Sequence, residues 1–183
     1  MMATTLEKPA SSRGSIAPGA PPAFETVFEA HGAEIYRYLR RFATGSTEAA
    51  DLHQEVFLRA FRAYGRLTDG ANVRAWLYRI AGNLAVDAHR RRSLSIEGDG
   101  RPTERAATLG DPEASARAGE LRADVRSALL SLSPSQRLAV CRRVLDGAEY
   151  AEVAHLLGCS ETAARQHVSQ GLRRLRAALK EWR

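Results

Sequence analysis

"AEVAHLLGCSETAARQHVSQGLRRLR", residues 151–176, holds two short amphipathic runs separated at Gly158. A helix that must end sharply needs a residue that tolerates left-handed backbone, and Gly158 supplies it. Ser160 is then placed to cap the following helix, with Glu161 in the first turn, where the helix dipole favours a carboxylate. The spacing turns Ala154, Leu157, Ala164 and Val168 inward, and side chains this small let two helices cross closely. Arg165, Gln166, Ser169 and Gln170 face outward, able to bond base edges and phosphates. Arg173, Arg174 and Arg176 extend a basic strip behind them. The pattern predicts a helix-turn-helix that reads DNA; an ordinary helical hairpin with a solvated arginine face is the alternative.

Upstream of this hairpin the periodicity stays helical. Ser133, Pro134 and Gln136 combine an N-cap, a proline at the first helical position and a capping-box partner. That helix carries Leu138, Ala139, Val144 and Leu145 and stops at Asp146-Gly147. Asp111, Pro112 and Glu113 open an earlier one, continued by Leu121, Val125, Ala128 and Leu129. With helices over 150–157 and 161–180, these make a second all-α domain spanning 112–183. Residues 93–111, "SLSIEGDGRPTERAATLGD", have turn formers and no period, and read as a flexible linker.

Before the linker, Phe24, Val27, Phe28, Ile35, Leu39 and Phe42 predict a helix closed by Gly45, with Gly32 as a place for a bend. Ser46 or Thr47 caps the next, whose stripe is Leu52, Val56, Ala60 and Phe61, ending near Gly65. The clearest helix starts at the N-cap Asn72. It carries Val73, Trp76, Leu77, Ile80, Ala81, Leu84, Ala85 and Ala88 on one face and runs out into "HRRR" at 89–92. The fold class is all-α: two small helical domains, 23–92 and 112–183, joined by a flexible linker. Residues 1–22, rich in Pro, Ala, Ser and Gly, read as a disordered tail.

The formal net charge is +6, from 27 basic and 21 acidic residues, and only Lys8 and Lys180 among the basic ones are not arginine. Guanidinium groups suit bidentate contacts to phosphates and base edges, so the first partner to expect is a nucleic acid. Cys141 and Cys159 form no disulfide framework and no CxxC pair. No run is apolar enough for a membrane span, residues 1–23 lack a signal-peptide core, and a cytoplasmic location is expected. A redox or metal enzyme built on Cys141, His155 and Cys159 is a poor reading, because one histidine and two separated cysteines make a poor ligand set. No cofactor, metal or catalytic residue is expected.

Two further blocks decide the class: "AADLHQEVFLRAFRAY" (49–64) and "VRAWLYRIAGNLAVDAHRRR" (73–92). Asp51, Gln54 and Glu55 lie at i, i+3 and i+4, so one helical face presents two carboxylates and an amide. Trp76 is a core residue by periodicity, though aromatics beside positive charge also stack on unpaired bases. These blocks resemble region 2 of the sigma-70 family, in its short extracytoplasmic-function (ECF) group. "LSPSQRLAVCRRVLDGAEYAEVAHLLGCSETAARQHVSQGLRRLR" (132–176) resembles region 4. The resemblance covers about 24–92 and 113–180, with no region 1.1 or region 3 between and no further domain expected beyond region 4.

The resemblance implies a promoter-selecting subunit of RNA polymerase that makes no bonds itself. It implies that Asp51, Gln54 and Glu55 dock on the β′ clamp helices of core polymerase, with a further contact to the β subunit. Trp76 and Asn83 would hold the opened −10 element, with Arg79, Arg90, Arg91 and Arg92 on phosphates. Arg143, Arg165, Gln166, His167, Ser169, Gln170, Arg173 and Arg174 would contact the −35 duplex. An anti-sigma factor is the implied regulator. Several positions depart from the family: His53 stands where an apolar residue is usual, Gly82 where a basic or larger one is, and Glu149 where Ser or Thr caps. Ala163 and Ala164 replace the usual Thr-Val, and His167 and Gln170 stand where Arg is common. The rival reading, a helix-turn-helix regulator that binds duplex alone, leaves residues 49–92 without a purpose.

Overall fold

The computed structural model describes residues 23–68, 70–98 and 112–180. They form α1 (Phe24–Arg40), α2 (Ser46–Tyr64), α3 (Val73–Gly98), α4 (Pro112–Ser131), α5 (Pro134–Val140), α6 (Tyr150–Leu157) and α7 (Glu161–Ala178), with a π-helical turn at Cys141–Leu145. No strand occurs among the described residues. The tail at 1–22 and most of the expected linker lie outside them.

The helices α1, α2 and α3 pack on one another as a three-helix unit. Ile35, Leu39 and Phe42 of the first segment, Val56 and Ala60 of α2, and Leu77, Ala81 and Ala85 of α3 are shut away from solvent. The first helix ends at Arg40, earlier than the expected Gly45. Glu48 explains this: its carboxylate accepts from both the backbone N–H and the hydroxyl of Thr44 at 2.7 Å, fixing a turn before α2. Gly45, in extended backbone, therefore holds the cap position, and neither Ser46 nor Thr47 caps. Phe61 is 61% exposed, against its expected place in the core stripe. The inward positions are Phe57 and Tyr64, while Phe61 rests edge-on against Phe24 at 5.3 Å. Asn72 caps α3 as expected, its Oδ1 accepting from Ala75 N–H at 2.9 Å. That helix continues past the arginines at least to Gly98.

The C-terminal unit has its own small core of Ala139, Ala148, Val153, Ala154, Ala164 and Val168. Ser133 and Ser160 cap α5 and α7 through their hydroxyls. The capping box is not completed: Gln136 is buried, and its amide points to α7 instead. Val144 and Leu145, expected in the core, are 50% and 52% exposed. The π-helical turn is the cause. Asp146 N–H bonds back five residues to Cys141 at 3.1 Å, and the wider turn rotates the following side chains off the buried face. Gly158 has φ 65°, the left-handed value the turn requires. His53, the family departure, fills a pocket of Phe28, Tyr36 and Phe57 and donates to the Gly32 carbonyl at 2.9 Å.

The two units are packed together. Leu129, Leu130, Leu132, Leu138, Cys141 and Leu156 belong to the same buried cluster as the core of α1–α3, and α3 touches α4, α5 and α6.

Candidate nucleic-acid interface

The second helix of the hairpin, α7, presents Arg165, Gln166, Ser169, Gln170, Arg173 and Arg174 to solvent, with His167 half-buried. Its expected inner face is in place, with Ala164 and Val168 buried and Leu157 packed at the edge. Gly171 is buried where α7 meets α5. A Cβ there would lie 2.6 Å from Val140 Cγ2, so the helices approach closer than any side chain permits.

Two residues that the sequence did not assign to this surface organise it. The ring of Tyr150, at the start of α6, lies between the guanidinium groups of Arg143 (4.6 Å) and Arg165 (4.2 Å). The ring faces attract both cations and hold them at the mouth of the hairpin. Arg143 is further fixed by donating to the Ala148 carbonyl at 2.9 Å. Gln136 donates to Gln170 Oε1 and accepts from Arg174, each at 3.1 Å. Its buried amide thereby sets the direction of two side chains of the outer face. A glutamine three residues after a capping serine looks like a cap in sequence, which hid this role.

On the N-terminal unit, Asp51 and Gln54 are exposed on α2 and Glu55 pairs with Arg59 at 2.6 Å. Leu58, 40% exposed, continues that strip one turn on. Along α3, Arg79, Asn83 and Arg90 are exposed on the face that carries the half-buried Trp76, and Arg91 is exposed beside it. Arg92 stands apart. It pairs with Glu48 and donates to the Phe42 carbonyl, which ties the end of α3 to the α1–α2 turn. At 3.6 residues per turn, Arg92 lies about 160° around the helix from Trp76, a separation legible in the spacing itself.

Electrostatics brace the structure. Burial pushes the Glu34 carboxyl up, but the Arg74 guanidinium and His31 outweigh it and hold it below the ordinary carboxylate range. Arg142 beside Glu152 lowers that carboxyl too. Burial pushes the Tyr78 hydroxyl up to about 12 and the Cys141 thiol up to about 11, which leaves that thiol protonated and unreactive at neutral pH. Among the described residues no His, Cys, Asp and Glu cluster is placed to hold a metal. None of their helices is long and apolar enough to cross a membrane.

Comparison with known proteins agrees with this arrangement. The Sigma-70 region 2 model matches residues 27–94, and the Sigma-70 region 4 model matches residues 122–175. The RNA polymerase sigma factor CarQ of Myxococcus xanthus is 33% identical over 168 residues, covering 89% of this chain and 92% of CarQ. The ECF RNA polymerase sigma factor SigE of Mycolicibacterium smegmatis is 32% identical over 163 residues, covering 86% of this chain and 62% of SigE. The fold is also that of the sigma factor RpoE of Bartonella quintana, solved with the anti-sigma factor NepR. Its TM-score is 0.52 at 24% identity, over 86% of this chain and 96% of that one. A helix-turn-helix with a braced polar face, joined to a three-helix unit with an acidic strip on one helix and an aromatic-basic face on another, is accounted for as a whole: the chain belongs to the ECF group of the sigma-70 family, factors of transcription initiation, and carries regions 2 and 4.

Proposed function

We propose that this chain directs core RNA polymerase to a set of promoters by a division of labour between its two units. Asp51, Gln54 and Glu55, with Leu58 beside them, dock on the β′ clamp helices. Trp76 and Asn83 receive bases of the opened −10 element while Arg79, Arg90 and Arg91 take phosphates. Arg143, Arg165, Gln166, His167, Ser169, Gln170, Arg173 and Arg174 read the −35 duplex, and region 4 also contacts the β subunit. Arg92 is better placed to hold region 2 together than to meet DNA. The observation that carries the reading is the face of α3 on which half-buried Trp76 lies beside exposed Arg79, Asn83 and Arg90. Duplex reading by α7 does not need it, whereas strand opening does. The chain is a regulatory factor, and the polymerase does the bond-making. Its work on promoters places it in the cytoplasm, and the anti-sigma factor bound by the RpoE relative makes such a protein the expected regulator.

The test is run-off transcription by core polymerase, with and without the chain, on promoter fragments from the source genome. New start sites that appear only with the chain, and disappear with Asn83→Ala, are expected. Tight duplex binding without polymerase and no new start sites would leave a helix-turn-helix regulator instead.

A further inference from the structure

The outer face of α7 is held from beneath by a line of three side chains. Gln136, near the start of α5, is 6% exposed, and its backbone N–H donates to the Ser133 cap at 3.4 Å. Gly171 brings α7 close above it: a Cβ at that glycine would lie 3.6 Å from Gln136 Cβ. From this buried place the Gln136 carboxamide accepts from Arg174 Nη1 through Oε1 and donates through Nε2 to Gln170 Oε1, each at 3.1 Å. Gln170 itself is exposed.

The direction of this line is fixed by its charged end. A guanidinium only donates, so the atom of Gln136 that faces Arg174 has to be oxygen. Its nitrogen then faces Gln170, where it has to meet the amide oxygen. The Nε2 hydrogens of Gln170 are left for an outside partner. A glutamine free on a helix surface can turn either end of its amide outward, whereas this one is set. The charge on Arg174 also strengthens each donor along the line, because hydrogen bonds in a chain polarise one another.

We propose that Gln136 is a positioning residue for promoter reading: it holds the Gln170 carboxamide with its N–H donors outward, so that Gln170 selects a guanine. The inference rests on the reading of α7 as the part that meets the −35 duplex. In the major groove guanine presents two acceptors, N7 and O6, while cytosine presents the N4 amino donor and thymine a single acceptor beside a methyl group. An amide that offers only N–H groups matches guanine and sets donor against donor at cytosine. Adenine, the common partner of glutamine, uses the amide oxygen as well as the nitrogen. Here that oxygen is turned inward onto Gln136.

The test starts from promoters that the full chain selects with core polymerase in run-off transcription, each −35 position then being changed to all four bases. One position should favour guanine over cytosine by about 5-fold or more, and Gln170→Ala should abolish that preference. Gln136→Glu is the decisive variant. A carboxylate still accepts from Arg174 but cannot donate, so Gln170 turns its nitrogen inward and its oxygen outward. The preference at the same position should then pass to adenine or cytosine, whose amino groups donate. Gln136→Leu, which makes no hydrogen bond, should flatten it. In a Gln170→Ala background neither change at Gln136 should alter base preference. A residue that merely supports the fold would lower transcription equally for all four bases. Such a uniform loss in both Gln136 variants, a guanine preference that persists in Gln136→Glu, or no guanine preference that depends on Gln170 overturns the inference. No start sites with the wild-type chain would instead defeat the promoter reading beneath it.

Discussion

Gly171→Ala sets two physical arguments against each other. Taken as a helix position, replacing a buried glycine in mid-helix by alanine stabilises by about 1 kcal/mol. The structure says otherwise. The new methyl would sit 2.6 Å from Val140 Cγ2 and 3.5 Å from the Gln136 carbonyl, between two helices whose contact forms the floor of the recognition unit. Val140 is 2% exposed and β-branched, so its side chain is enclosed and stiff about χ1. Forced overpacking of this kind costs about 1–3 kcal/mol. Set against the propensity gain, the net expectation is destabilisation by up to about 2 kcal/mol. Urea unfolding of the full chain followed by helical circular dichroism measures it. The double variant with Val140→Ala makes the test specific, because removing Cγ2 removes the collision. The two changes should then couple favourably by about 1 kcal/mol or more. A Gly171→Ala protein as stable as wild type or more so, with additive behaviour in the double variant, would refute the packing argument.

Three more outcomes are expected. Tyr150→Leu should keep the fold but release Arg143 and Arg165, weakening binding to a −35 duplex at fixed salt by about 0.5–1 kcal/mol, as titration would show. Arg92→Ala should lower unfolding stability by on the order of 1 kcal/mol through its Glu48 pair, with a double-mutant cycle against Glu48→Gln separating that term, and should leave the salt dependence of promoter binding unchanged. Glu34 and Glu152 are both held below their unfolded value of 4.5, so the folded chain resists protonation more than the unfolded one. Their stabilisation is complete above that value and is lost as the pH falls through the lowered ones. Unfolding curves at stepwise lower pH should show this loss, reduced in Glu152→Gln.

Much of the architecture is local in origin, and so was readable. Asn72, Ser133 and Ser160 cap because their oxygens reach a backbone N–H three residues on, an interaction contained in the segment. Gly158 takes φ 65° for the same kind of reason. The outward set on α7 follows from helical spacing around Ala164 and Val168. Where the reading failed, a nonlocal or irregular feature had intervened. Val144 and Leu145 sit on the expected stripe of an α-helix, but the π-helical turn at Cys141–Leu145 moves them into solvent. Gln136 has the spacing of a cap but finds better partners on α7.

By itself the sequence determined an all-α chain with two helical units, a helix-turn-helix at 150–180 and the sigma-70 resemblance, because caps, turn glycines and apolar periodicity act within a few residues. Only the tertiary structure decided what Gly82, Arg137, Tyr150 and Gly171 are for. Each has its role from an atom on another helix: a guanidinium over Gly82, two guanidinium groups on Tyr150, a valine methyl against Gly171. Such contacts join residues up to 55 positions apart, as Arg137 and Gly82 are, and no local pattern encodes which distant side chain arrives.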